Sequence, residues 1–117
     1  MKENLIKNKT LGFALRIIKL NQFLREIKKE YLLSKQVLRS GTAIGALVRE
    51  SEHAESTADF IHKMSIALKE ATETEYWLVL LKKSDYINEN EFKSLDCDLT
   101  EILKILTSII KTSKGGK

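Results

Sequence analysis

Between Leu32 and Glu50 the chain reads LLSKQVLRSGTAIGALVRE, and no other stretch limits the possible folds as much. Wound at 100° per residue, Leu33, Val37, Ile44, Leu47 and Val48 fall on one side. Lys35, Arg39, Thr42, Ala46 and Arg49 fall on the other. The period is helical, and the helix is amphipathic with a basic stripe. Gly41 and Gly45 sit inside it, four apart and so on one flank. Each costs about 1 kcal/mol relative to Ala in a helix interior. Close approach of another backbone along that flank would offset the cost.

The same period recurs on both sides. Thr10 is placed to cap a first helix running to about residue 28. Phe13, Ile17, Leu20, Leu24 and Ile27 form its apolar stripe, and Leu11, Leu15 and Ile18 form a second on nearly the opposite side. One such face suffices for a helix in a small monomer. The second stripe is therefore read as a subunit interface, with cover by the N-terminal tail as the alternative. A second helix spans about 31–51. Ser56 with Asp59 makes a capping-box variant before a third at about 56–84. Phe60, Met64, Ala67, Ala71, Thr74, Leu78 and Leu81 form its seam. Asn88 with Glu91 opens a fourth at about 88–112, with Phe92, Leu95, Leu99, Ile102, Leu106 and Ile109 inward. Residues 1–9 and 113–117 are polar and expected to fray. With no proline in 117 residues, nothing interrupts these helices. The expectation is one all-α domain, an antiparallel up-down-up-down four-helix bundle.

Charge and cysteine content narrow the function. A net charge of +4 and an isoelectric point near 9.2 permit an anionic partner without requiring one. The lone Cys97 excludes an internal disulfide, which suits a reducing compartment. No apolar run approaches the ~18 residues of a membrane span. The first ten residues show no signal-peptide pattern, so a cytoplasmic location without membrane contact is expected.

No catalytic constellation assembles. His53 and His62 are nine apart with no ligand-spaced partner, so both are read as solvated and no metal or cofactor is expected. Cys97 lies between Asp96 and Asp98, which disfavours a thiolate, and is read as a partly buried structural residue. Neither a phosphate loop nor a nucleophile elbow is present. Glu70 and Glu73 could do acid–base work, but ion pairing with Arg39 or Arg49 is the simpler role. The chain is read as non-enzymatic.

The basic residues are the remaining candidates. Lys35, Arg39 and Arg49 form an aligned stripe flanked by small residues, with Arg16, Lys19 and Arg25 second to them. Sixteen acidic residues dilute the twenty basic ones, so phosphate binding is not forced by charge alone. An oligomer would repeat the stripe and sum its field.

Leu33, Gln36, Arg39, Ser40, Ile44, Ala46 and Glu50, followed by Phe60, Ala67, Glu70, Glu73, Thr74 and Trp77, carry a joint spacing over two helices. That spacing resembles the four-helix bundle proteins encoded in intervening sequences of bacterial 23S ribosomal RNA genes, a family related to the accessory proteins of diversity-generating retroelements. The resemblance covers roughly residues 11–87. Leu47 stands where the family usually has Asn, and Gly45 where it often has Pro. The resemblance implies a bundle that assembles as a ring, a homopentamer, with a nucleic-acid role. Together with the stripe it points to structured RNA bound through phosphates. The alternative is a scaffold for another polypeptide, such as a polymerase encoded nearby.

Overall fold

The computed structural model describes residues 2–115. They form four helices: α1 Lys2–Glu26, α2 Leu33–Ser51, α3 Thr57–Lys83 and α4 Glu89–Gly115, with no strand among the described residues. α1 packs on α2 and α4, α3 packs on the same two, and the diagonal pairs bring no Cα atoms within 8 Å of each other. Links of a few residues cannot cross a bundle, so successive helices alternate in direction. The result is an antiparallel up-down-up-down bundle of 47 × 22 × 19 Å.

The seams read from helical spacing are the core. Phe13, Ile17, Val37, Ile44, Met64, Leu78, Leu99 and Leu106 are essentially inaccessible to solvent. Both capping boxes form. Ser56 Oγ accepts from the Asp59 amide at 3.0 Å while Asp59 Oδ2 accepts from the Glu55 amide at 3.1 Å. Asn88 Oδ1 accepts from the Glu91 amide at 2.8 Å, and Glu91 Oε1 accepts from the Asn88 amide at 2.7 Å.

The glycine flank of α2 faces α1. A Cβ on Gly41 would lie 2.9 Å from both γ-carbons of Ile17, and one on Gly45 would lie 3.4 Å from Thr10 and 3.5 Å from its carbonyl oxygen. The nearest neighbour is therefore a buried side chain at both glycines, with the Thr10 backbone carbonyl almost as near at Gly45. Farther along this seam, Asn21 is buried and its Nδ2 donates to the Ser34 carbonyl at 2.9 Å. On the α3 side, the buried hydroxyls of Ser40 and Thr74 lie 2.9 Å apart.

Several expectations fail at helix ends. α1 starts at Lys2, so residues 2–9 do not fray as an unstructured tail; Met1 lies outside the described residues. One residue explains the difference: Ile6 is fully buried, about two turns before Phe13, and extends the apolar seam into a polar run. Thr10 is consequently no cap. It is buried mid-helix with its hydroxyl donating to the Ile6 carbonyl at 2.8 Å. Ile27 leaves the predicted stripe because α1 ends at Glu26, and it is 67% exposed. α2 begins at Leu33, two residues later than expected. α4 continues to Gly115, and residues 116–117 of the expected frayed tail lie outside the described residues. Cys97 is exposed rather than partly buried.

Candidate nucleic-acid interface

The two halves of the bundle differ in charge. Residues 1–50, which include α1 and α2, hold eleven Lys and Arg against four Asp and Glu, whereas residues 51–117 hold nine against twelve. Residues 4–25 and 31–49 contain no acidic residue at all. This division was open to inspection in the sequence, but it has meaning only once α1 and α2 are known to lie side by side.

The eight cations in those two stretches have different fates. Lys7 pairs with Glu52 at 3.0 Å, and Lys9 with Glu101 at 3.1 Å. The Arg16 guanidinium reaches Asp98 at 2.6 Å and Ser94 Oγ at 2.8 Å, tying α1 to α4. Arg39 donates to Glu70 at 3.2 Å and to Glu73, tying α2 to α3. Trp77 Nε1 also donates to Glu73 at 2.9 Å. Trp77 first, and Arg39 after it, hold the Glu73 carboxyl below its ordinary range. Glu70 and Glu73 thus sit in an ion-pair network with Arg39, whose side chain stays half exposed.

Lys19, Arg25, Lys35 and Arg49 are exposed, and no described carboxylate forms an ion pair with any of them. Arg25 Nε donates instead to Asn21 Oδ1 at 3.0 Å, which anchors it beside the start of α2. Lys35 lies one turn into α2, and Arg49 is about 21 Å farther along the same helix. Between them runs a shallow groove lined by Thr10, Leu11, Ala14, Thr42, Ala46 and Arg49. Lys19 is separated from this line and borders a cleft of about 550 Å³ between α1 and α4, floored by Leu20, Phe23, Ile87 and Leu95. Leu11, Leu15 and Ile18 stand 49%, 54% and 40% exposed on α1. The structure therefore brings Arg25, Lys35 and Arg49 to the α1–α2 face, leaves Lys19 on the α4 side, and commits Arg16 and Arg39 to other helices.

His53 and His62 are both exposed. Among the described residues no group of three or more His, Cys, Asp or Glu could hold a metal ion, and no helix is long and apolar enough to cross a membrane.

The other half carries an acid pair. Asp96 Oδ1 on α4 is buried without a hydrogen-bond donor from any N–H or hydroxyl, and the Glu75 carboxyl of α3 faces Asp96. Burial, then repulsion from Asp96, pushes the Glu75 carboxyl above its ordinary range, and a protonated Glu75 can donate to Asp96. A carboxyl whose folded value is raised binds its proton more tightly folded than unfolded. Its stabilising contribution therefore grows as pH falls through that raised value and is complete below the ordinary one. Glu75→Gln should raise the melting temperature by about 2–4 °C at pH 7 and lose that advantage near pH 4, as read by thermal circular dichroism. Glu73 has the opposite sign: its contribution is present at neutral pH and fades as pH falls below the ordinary carboxylate range.

Comparison with known proteins extends the match beyond residues 11–87. A structure of a protein with unknown function from the S23 ribosomal protein family of Bacteroides thetaiotaomicron VPI-5482 is 57% identical in sequence and superposes with a TM-score of 0.95. The alignment covers 96% of this chain and 100% of that one. No curated protein matches. The family model for the 23S rRNA-intervening sequence protein matches residues 2–108, and the chain belongs to that family.

Proposed function

We propose that the protein is a non-catalytic, self-associating bundle of the cytoplasm that contacts structured RNA through its phosphates. The observation that carries this reading is the acid-poor α1–α2 half, where residues 4–25 and 31–49 hold no acid and Arg25, Lys35 and Arg49 form no ion pair. Lysine and arginine on a surface without acidic dilution supply the counterion-release energy of nucleic-acid binding. Phosphate contact fixes position and carries no base readout. Lys19 adds a contact on the α4 side, while Arg16 and Arg39 serve chiefly as inter-helix ties. Self-association buries Leu11, Leu15 and Ile18, and a ring, for which a homopentamer is the proposed form, repeats the α1–α2 face around an axis.

The test is a titration with a structured ribosomal RNA fragment at several salt concentrations, on protein whose mass is fixed by light scattering. Affinity should fall steeply with salt, with a log–log slope larger than the roughly four contacts of one subunit supply. Absence of binding at low salt overturns the reading.

The α1–α4 cleft supports a second reading, a scaffold for another polypeptide. Its apolar floor of Leu20, Phe23, Ile87 and Leu95 is wide enough for side chains of a partner helix. A partner retained after nuclease digestion of the lysate favours the scaffold, and one lost on digestion favours RNA.

A further inference from the structure

The corner joining α1 to α2 carries the three most exposed large apolar side chains among the described residues: Leu32 at 79%, Ile27 at 67% and Tyr31 at 59%. They are not on a loose loop. The Glu30 carboxylate accepts from the amides of Leu32, Leu33 and Ser34 at 3.2, 2.9 and 2.8 Å. The Glu30 amide donates back to the Leu24 carbonyl at 2.9 Å, and Lys29 takes a left-handed φ of 56° to close the turn. This bonding replaces the missing side-chain cap of α2 and fixes the backbone that displays Tyr31. Arg25, Lys28, Lys29 and Lys35 flank Tyr31 in sequence, and all are exposed. Arg25 is held by Asn21, which itself bonds the Ser34 carbonyl, and Lys28 Nζ lies 5.8 Å from the centre of the Phe23 ring. The corner's own acids are Glu26 and Glu30, with Glu30 turned into the backbone, and Lys28 also shares a pocket with Asp85 and Glu91.

We propose that this corner binds unpaired nucleotides, with the Tyr31 ring as a stacking platform and Arg25, Lys28, Lys29 and Lys35 meeting the flanking phosphates. The proposal rests on the RNA reading above and adds the form of RNA bound: loops, bulges or ends rather than duplex. An exposed aromatic side chain on a braced backbone, with cations at neighbouring positions, complements a ligand that has both a flat apolar face and negative charge, and an unstacked base next to phosphates has both. A continuous duplex offers the phosphates but no free base face. Leu32 and Ile27 add apolar contact beside the ring.

The experiment compares an oligouridine of about twelve nucleotides with an RNA duplex of similar length, by fluorescence anisotropy at low salt, on wild type, Tyr31→Ala and Tyr31→Phe. Removing one stacking partner should weaken oligouridine binding about five- to a hundredfold while duplex binding changes less than about twofold. Tyr31→Phe, which keeps the ring, should bind as wild type does. Because Tyr31 is mostly exposed, both variants should melt with the wild type, and circular dichroism checks this. Equal oligouridine affinity in Tyr31→Ala and wild type overturns the corner proposal and leaves phosphate contact by the α1–α2 face standing. Failure of wild type to bind either RNA overturns both.

Discussion

Replacing Gly41 with valine should destabilise the bundle by about 2–4 kcal/mol, a fall of roughly 10–15 °C in melting temperature. Even one added carbon at this position meets Ile17 at 2.9 Å, and the atoms it meets are the γ-carbons of a fully buried β-branched residue, close to the backbone and unable to swing away. Either α1 moves off α2 or Ile17 leaves its rotamer. Alanine gains about 1 kcal/mol in helix propensity, so Gly41→Ala should lose less than valine but still lose. Two other glycines calibrate the result. Gly45→Ala makes an ordinary 3.4 Å contact with Thr10 and should be close to neutral, while Gly12→Ala meets nothing within 4 Å and should stabilise by about 0.5–1 kcal/mol. Thermal denaturation of the four variants checks the order. If Gly41→Val melts with the wild type, the tight α1–α2 seam is not what holds these helices.

Lys35→Glu combined with Arg49→Glu should lower affinity for a structured RNA at least about tenfold at low salt and flatten the log–log salt slope by about two per subunit. Neither side chain forms an ion pair, and Arg49 has only a longer-range attraction to the exposed Glu52, so the double variant should fold normally. Arg39→Ala is the matched comparison. Arg39 is occupied by Glu70 and Glu73, so its removal should leave RNA affinity within about twofold and cost a little stability instead. Anisotropy titrations and melting curves on the same samples separate the two roles. Equal loss of affinity in Arg39→Ala and in the double variant would show that the ion-pair network opens for RNA, and the division of cations between binding and structure would fail.

The fold was legible because its signals are local. Spacings of three and four along Phe13, Ile17, Leu20 and Leu24 placed the core, and Ser56–Asp59 and Asn88–Glu91 marked two helix starts by chemistry contained in four residues. Where the reading failed, the deciding group lay elsewhere in the sequence or stood alone. A single buried Ile6 among polar neighbours lengthens α1, and Glu30, three residues ahead, does the capping that no residue at position 32 performs. The binding candidates were harder still. Lys35 and Arg39 look equivalent on a helical wheel, but only the rotation of α2 against α3 decides that Arg39 meets Glu70 and Glu73 while Lys35 meets none. Arg16 was drawn away in the same manner, to Asp98, 82 residues distant. Counting acids over the whole chain also hid the point, since most of them belong to the other pair of helices.

The helices form a closed square in which α1 touches α4. Those are the first and last of the four to leave a ribosome. Three of the four contacts join neighbours in sequence and can form as soon as each helix is complete. The fourth, with Arg16–Asp98 and Lys9–Glu101 across it, waits until the final helix has been made. Until that moment the α1 side of the seam, with Phe13 and Leu20, has no cover. α4 is thus both the last helix synthesised and the one that closes the square, so the α1 side of the seam gains its cover only when the chain is nearly complete.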